Sequence, residues 1–277
     1  MCGRYASSRR IDDLIERFEV AEAHVEVPLE PDYNVAPTKD VYAVLQRARR
    51  GADPGLPAER QLRVLQWGLI PSWAKDPSIG KRMINARVES VADKPAYRRA
   101  FAARRCLLPA DGYYEWYPCA DLTPMGKPRK QPFFIRPRDG GVLGMAGVYE
   151  IWRDPRRAED DPSRFRWTVS IITTEAEDSL GQIHDRMPMM VEPERWAQWL
   201  DPSVDDREDL LDLLAPATPG RLEAFAVSTL VNNVRNNGPE LLAPLPMTPP
   251  PITPPPITPP PITGDTRPES ARDRLVE

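Results

Sequence analysis

The chain lacks any apolar run of about 18 residues, the length a helix needs to cross a bilayer. Its first residues, MCGRYASSRR, lack the apolar stretch of a secretory leader. Both absences lead us to expect no membrane association and a cytoplasmic protein. Cysteine is scarce: Cys2, Cys106 and Cys119 are too few, and odd in number, for a disulfide framework. A reducing, intracellular setting follows. Histidine is scarcer, with only His24 and His184. No Cys-x-x-Cys or His-x-x-x-His spacing offers a zinc site, and no glycine-rich loop offers a phosphate cradle. The expectation is neither metal nor cofactor. An excess of positive charge is also missing. The formal net charge is −4, which on its own argues against a nucleic-acid binder.

What is present is an ordinary globular balance, 41% hydrophobic and 28% charged over 277 residues, enough for one large domain or two small ones. Charge is uneven along it. Residues 81–105 carry Lys81, Arg82, Arg87, Lys94, Arg98, Arg99, Arg104 and Arg105 against only Glu89 and Asp93. Such a run is either a solvated helix face or a basic surface on an acidic protein.

The clearest boundary lies near residue 243. Twelve of the 34 prolines fall in 244–277, largely as a PPPIT repeat that can form neither ladder nor helix. We expect a domain over 1–243 and a disordered, proline-rich tail over 244–277, either passive or a ligand for an unidentified partner. Within the domain, Ile11, Leu14, Ile15 and Phe18 have helical spacing with Ser8 as N-cap. Pro95 suits the first turn of a helix running towards Phe101. Trp196, Trp199 and Leu200 suggest a helix after Pro193, and Leu210, Leu211, Leu213 and Leu214 another. Strand-like runs cover 41–47, 62–68, 105–109, 133–136, 142–149, 167–173 and 224–228. Residues 49–60 and 153–164 look like surface loops. Strands outnumber helices and do not alternate regularly with them. The expected class is α+β, a largely antiparallel, barrel-like sheet with peripheral helices.

Four side chains could do chemistry. Cys2 follows an initiator methionine that is trimmed before small residues. Trimming would leave a 1,2-aminothiol, whose amine condenses with an aldehyde and whose thiol then closes a five-membered thiazolidine. With reference pKa values of about 7.7–8 for the amine and about 8.5 for the thiol, both have usable reactive fractions at cellular pH. Position 2 could equally be incidental. His184, in GQIHDRMP, is either an acid–base group oriented by Asp185 or a structural histidine at a strand-to-loop turn. Glu115, in ADGYYEWYP, is either a desolvated proton-transfer group among aromatics or an exposed glutamate on a strand. Asn85 and Arg87, in MINARVES, share a face if that segment is a strand. They could position an oxygen and hold a phosphate, or be a turn and a surface charge.

Together these segments resemble the SRAP family, the SOS-response-associated peptidases that act on abasic sites and crosslink to DNA. The resemblance rests on MCGRY at 1–5, YNVAPT at 33–38, WGLIPSWA at 67–74, INARVES at 84–90 and RRCLLPADGYYEWY at 104–117. It continues through QPFFI at 131–135, IITT at 171–174, IHDRMP at 183–188 and VNNVRNNGPEL at 231–241, in the family's order. It covers residues 1 to about 243 and leaves out the proline tail. The one departure noted is the long 49–60 insertion.

The resemblance implies catalytic roles for Cys2, Asn85, Glu115 and His184. It implies DNA contacts at Arg4, Trp73, Arg87 and Arg186, and further ones at Trp67 and Asn34. It also implies a monomer that senses abasic sites in single-stranded DNA and is nucleoid-associated if bacterial. The implied product is a thiazolidine crosslink through Cys2, with lyase and self-processing protease activities besides. The alternative is an N-terminal-nucleophile cysteine amidohydrolase or peptidase, which also needs a free terminal cysteine but turns over on amides.

Overall fold

The computed structural model describes residues 2–48, 58–176, 178–214 and 220–246. The expected tail therefore lies almost wholly outside the described residues, as do positions 49–57 of the expected 49–60 loop. The remainder of that loop is split, since Glu59 and Arg60 already belong to a strand.

Chain order is β1 (Tyr5–Ser7), α1 (Ile11–Arg17), β2 (Glu22–His24), β3 (Asp32–Val35), β4 (Asp40–Arg47) and β5 (Glu59–Trp67). Then come β6 (Asn85–Arg87), α2 (Val88–Val91), α3 (Arg98–Ala103), β7 (Arg105–Ala110), β8 (Gly112–Leu122) and β9 (Pro128–Pro137). The rest is β10 (Leu143–Arg153), β11 (Phe165–Glu175), α4 (Asp178–Gly181), β12 (Arg186–Pro188), α5 (Trp196–Leu200), α6 (Arg207–Asp212) and β13 (Leu222–Ala226). No helix among the described residues is long and apolar enough to cross a membrane.

One sheet runs β12-β11-β10-β7-β4-β5-β2, and β11 pairs in parallel with β5, Thr168 opposite Gln66 and Val169 opposite Trp67. That pairing closes β5, β4, β7, β10 and β11 into a ring, so these strands keep no free edge. The side-chain period of two sorts their residues onto two faces. Val41, Ala43, Leu45, Leu65, Trp67, Cys106, Leu108, Met145, Tyr149, Val169 and Ile171 form one cluster, drawn from all the ring strands, and Cys2 joins it. The alternate residues Tyr42, Val44, Leu107, Ala146 and Val148 face the other way. There they pack with Leu14 and Phe18 of the α1 region, Phe101 of α3, Trp196 and Trp199 of α5 and Leu210 of α6. The fold is α+β and barrel-like with peripheral helices, as the sequence suggested.

The second sheet runs β13-β9-β8-β1-β3. Gly112 opens β8 opposite Ala6 of β1. A Cβ at Gly112 would stand 2.5 Å from the carbonyl oxygen of Ile135, so only glycine lets β8 pack this closely there.

Two local expectations are corrected. The N-cap of α1 is Arg10, with no side-chain cap. Ser8 instead turns back to Asp111, its backbone N–H at 2.6 Å and hydroxyl at 2.8 Å from Oδ2. Pro95 lies in turns ahead of α3, which begins at Arg98.

Candidate active site

Cys2 lies just before β1, the strand held between β3 and β8. Tyr114 N–H donates to Arg4 O at 2.9 Å, and Tyr5 pairs with Tyr113, so the start of the chain is fixed to β8. Asn85 Nδ2 donates to Cys2 O at 2.7 Å. The Cys2 side chain is fully buried. Burial pushes its thiol well above the ordinary range, and the negative charge of Glu115 adds to the effect. The thiolate fraction expected from reference values is therefore reduced in the folded protein. The thiol stays protonated until a base takes its proton.

Glu115 stands two residues beyond Tyr113 on β8 and shares its face. It is 3% exposed, so the reading of an exposed strand glutamate is set aside. Desolvation lifts its carboxyl to about 7, against the positive amino terminus, which pulls it down. His184 occupies the turn between α4 and β12, with Nε2 4.0 Å from Glu115 Oε2. Burial first, then nearby positive charge, holds its imidazole below the ordinary value. Burial thus raises the carboxyl and lowers the imidazole, favouring the neutral form of each. Both groups can give or take a proton.

Asn85 is a residue of β6, which runs parallel to β11 with Asn85 opposite Ile171. Its backbone carbonyl accepts from Tyr97 OH at 3.1 Å. Its Oδ1 is buried with no hydrogen-bond partner. A buried acceptor left unmade costs about 1–3 kcal/mol, so this atom is set to receive a donor from a ligand or a reacting group next to Cys2. Residues 2, 85, 115 and 184, distant in sequence, thus converge: Asn85 bonds Cys2, Glu115 acts on the Cys2 thiol, and His184 faces Glu115.

The residues expected to contact DNA divide. Trp73 is 59% exposed and Arg87 is exposed, so both can be reached. Arg4 is half-buried, donating to Asn34 Oδ1 at 2.7 Å and to Val231 O at 2.9 Å, with its guanidinium over the Trp116 ring. Asn34 and Trp67, also expected to contact DNA, are fully buried in this DNA-free structure. Asn34 Nδ2 ties down the carbonyls of Val231, Asn233 and Asn236. Trp67 Nε1 donates to Ile84 O at 2.9 Å, one residue before Asn85. Both hold other site residues in place. Arg186 is already engaged, bound through two nitrogens to the Glu89 carboxylate.

The basic run is also less of a surface than its sequence suggests. Arg105 is buried and donates to the carbonyls of Phe101, Ala102, Trp199, Asp201 and Val204, while Arg104 pairs with Glu150. Sequence reasoning missed Glu89 and Lys130, whose charge acts on both Glu115 and His184. The signal for Glu89 was in view as one of two acids in a basic run. Lys130 had none. Among the described residues no group of three His, Cys, Asp or Glu side chains could hold a metal ion.

The family model for SOS response associated peptidase (SRAP) matches residues 1–234. The chain is 37% identical over 242 residues to the abasic site processing protein YoqW of Bacillus subtilis, covering 87% of this chain and 99% of that one. It is 32% identical over 236 residues to the abasic site processing protein HMCES of Xenopus tropicalis, covering 79% and 68% of the two chains. A crystal structure of a protein from Bacteroides thetaiotaomicron superposes with a TM-score of 0.71 at 24% identity, covering 88% of this chain and all of that one. At that identity the superposition speaks to the fold alone.

Proposed function

The chain belongs to the SOS response associated peptidase (SRAP) family, and from that premise we propose that it processes abasic sites in single-stranded DNA by bonding covalently to them through Cys2. The observation that carries this reading is the convergence of a buried Cys2 with a carboxyl poised at about 7 and an imidazole 4.0 Å from that carboxyl.

An abasic sugar opens to an aldehyde when a proton leaves its anomeric hydroxyl and another reaches the ring oxygen. Glu115 and His184 supply these transfers. The Cys2 amine, freed by removal of Met1, attacks C1′, and the Asn85 bond to Cys2 O holds it in attack geometry. The N–C1′ bond forms, and the aldehyde oxygen leaves as water after taking a proton from neutral Glu115. The thiol then adds to the imine carbon. Its proton passes to the Glu115 carboxylate, and the C=N electron pair settles on the nitrogen, which has kept one of its two amine protons while the other left with the water. The balance is aldehyde plus aminothiol to thiazolidine plus water. The raised thiol fits this order, because the amine acts first and the thiol needs its base only once the imine is in place.

Arg87 holds a backbone phosphate, and Trp73 offers an exposed ring for a base to stack on. A single strand presents the sugar without the cost of unpairing. From the same imine, loss of the C2′ proton and departure of the 3′ phosphate would constitute lyase activity. Self-processing by proteolysis is a further reading, which the family's name supports and no separate protease site among the described residues does. The alternative is an N-terminal-nucleophile hydrolase, which would need the same free terminal cysteine but act on amides. Such an enzyme would turn over, whereas this protein is consumed.

The test is a denaturing gel of protein with an abasic single-stranded oligonucleotide. The expected result is a heat-stable, slower-migrating band that Cys2→Ala abolishes and an intact oligonucleotide never gives. No band with wild-type protein that has lost Met1 would overturn the reading.

A further inference from the structure

One nitrogen of His184 has two partners that want opposite things. Arg186 N–H donates to Nδ1 at 3.0 Å, which requires a lone pair there. Asp185 Oδ1 lies 2.9 Å from the same Nδ1, which favours a proton there. Both cannot be satisfied at once. If Arg186 prevails, the neutral ring keeps its proton on Nε2, the nitrogen that faces Glu115. If Asp185 prevails, the proton sits on Nδ1 and Nε2 faces Glu115 with a lone pair. Asp185 is 86% exposed and weakened by water, whereas the Arg186 side chain is 12% exposed and fixed at several points.

Those points lead to Glu89, at the start of α2. Arg186 Nη1 donates to Glu89 Oε1 at 2.5 Å, Nη2 to Glu89 Oε2 at 3.1 Å, and Nη2 also to Thr173 O on β11 at 2.7 Å. A two-point guanidinium–carboxylate pair fixes direction as well as distance. We propose that Glu89, which touches no reacting atom, is a positioning residue: its pair with Arg186 holds the Arg186 backbone N–H against His184 Nδ1 and thereby puts the imidazole proton on Nε2, towards Glu115. On this account Arg186 serves the histidine before it serves any phosphate. The inference rests on the proton-transfer role given above to His184. The charged groups acting on the ring are Asp185 at Nδ1, Glu115 at Nε2, and Lys130 and the amino terminus at longer range.

Nitrogen NMR of labelled, DNA-free protein reads the tautomer directly, and with two histidines in the chain a His24→Gln variant assigns the signals. Wild-type protein should carry the His184 proton on Nε2. In Glu89→Ala the proton should move to Nδ1, and the ring should titrate about one unit higher as Asp185 gains its hydrogen bond. Glu89→Gln, which keeps a side chain of the same shape, should fall between the two and carries the test if the alanine variant misfolds. Adding Asp185→Asn to Glu89→Ala should return the proton to Nε2, a rescue that a merely structural role for Glu89 would not give. In crosslinking assays the acidic limb of the rate profile should rise with the ring's titration. An unchanged tautomer and titration in a folded Glu89→Ala protein would overturn the proposal. Because the NMR needs no DNA, a wild-type protein that fails to crosslink would sink the function proposed above and leave this result standing.

Discussion

His184 Nε2 and Glu115 Oε2 stand 4.0 Å apart although Glu115 lies on β8 in one sheet and His184 adjoins β12 in the other. The pair therefore spans the junction of the two sheets, beside the buried Cys2.

That burial makes Glu115 a cost to the fold at neutral pH. Its folded-state value of about 7 lies above the ordinary 4.5, so its contribution is full below 4.5 and lost as pH rises through about 7. His184, held below 6.5, works in the other direction, its contribution being lost as pH falls below that value. Glu115→Gln should stabilise the protein above about pH 7 by up to about 3 kcal/mol, and the gain should vanish below about pH 4.5. Chemical denaturation across that range checks it. A constant difference would show that Glu115 is not desolvated in solution.

Glu115→Ala and His184→Ala should each slow crosslink formation by about 10²–10⁴ while affinity for undamaged single-stranded DNA changes little. The double variant should be slowed no more than about as much as the worse single one if both serve the same proton transfers. Single-turnover rates with an abasic oligonucleotide decide this.

Cys2→Ser separates the amine from the thiol. Methionine is still trimmed before serine, so the imine should form and borohydride should trap it as a reduced adduct. The hydroxyl closes only a labile ring, so no heat-stable crosslink should appear without reductant. Blocking the terminal amine with a tag should abolish both products even though the thiol remains. Equal crosslinking by a blocked protein would place the reaction on an internal side chain.

Arg87→Ala should weaken binding to single-stranded DNA with or without a lesion, and should reduce the salt slope by about 0.7 if one phosphate contact is lost. Trp73→Ala should cost about 1–3 kcal/mol of affinity if a base stacks on the ring, with little change in the slope. Titrations at several salt concentrations distinguish the two.

Arg105→Met should destabilise the whole fold by about 3–5 kcal/mol, since five carbonyls from the α3 and α5 regions lose their donor while a buried guanidinium disappears. Thermal melting measures it, and a wild-type midpoint would mean those carbonyls find water.

Much of this was legible beforehand, and the exceptions have physical reasons. The ring strands β4, β7, β10 and β11 could be read because each is a run of apolar residues. The strands β1, β3, β6 and β12 are too short to show a period, and β8 is hidden because its aromatics fill both faces. Tyr113 packs with the ring interior and Tyr114 with Phe134 and Val231. Glu115 and His184 stood out by context. What could not be read was which arginine was already engaged. Arg87 and Arg186 look alike in sequence, and only tertiary pairing leaves one exposed and binds the other to Glu89. The same holds for Asn34 and Trp67, for which the resemblance implied DNA contacts and the structure shows buried side chains with partners of their own.

The closure of the ring sets the order in which the protein becomes able to react. Gln66 pairs with Thr168, and His184 follows that pairing in the chain. A ribosome adding about 5–20 residues per second makes Cys2 about 9–36 s before His184. During that interval the terminus is an unprotected aminothiol, open to any small aldehyde in the cell. Once β11 docks on β5 and the site assembles, Cys2 is enclosed, and on the proposed reading it would answer only to an aldehyde carried in on a ligand that fits. On the proposed reading the barrel would protect its nucleophile as well as aim it, and speed of folding would govern how much of the newly made protein is still intact when a lesion arrives.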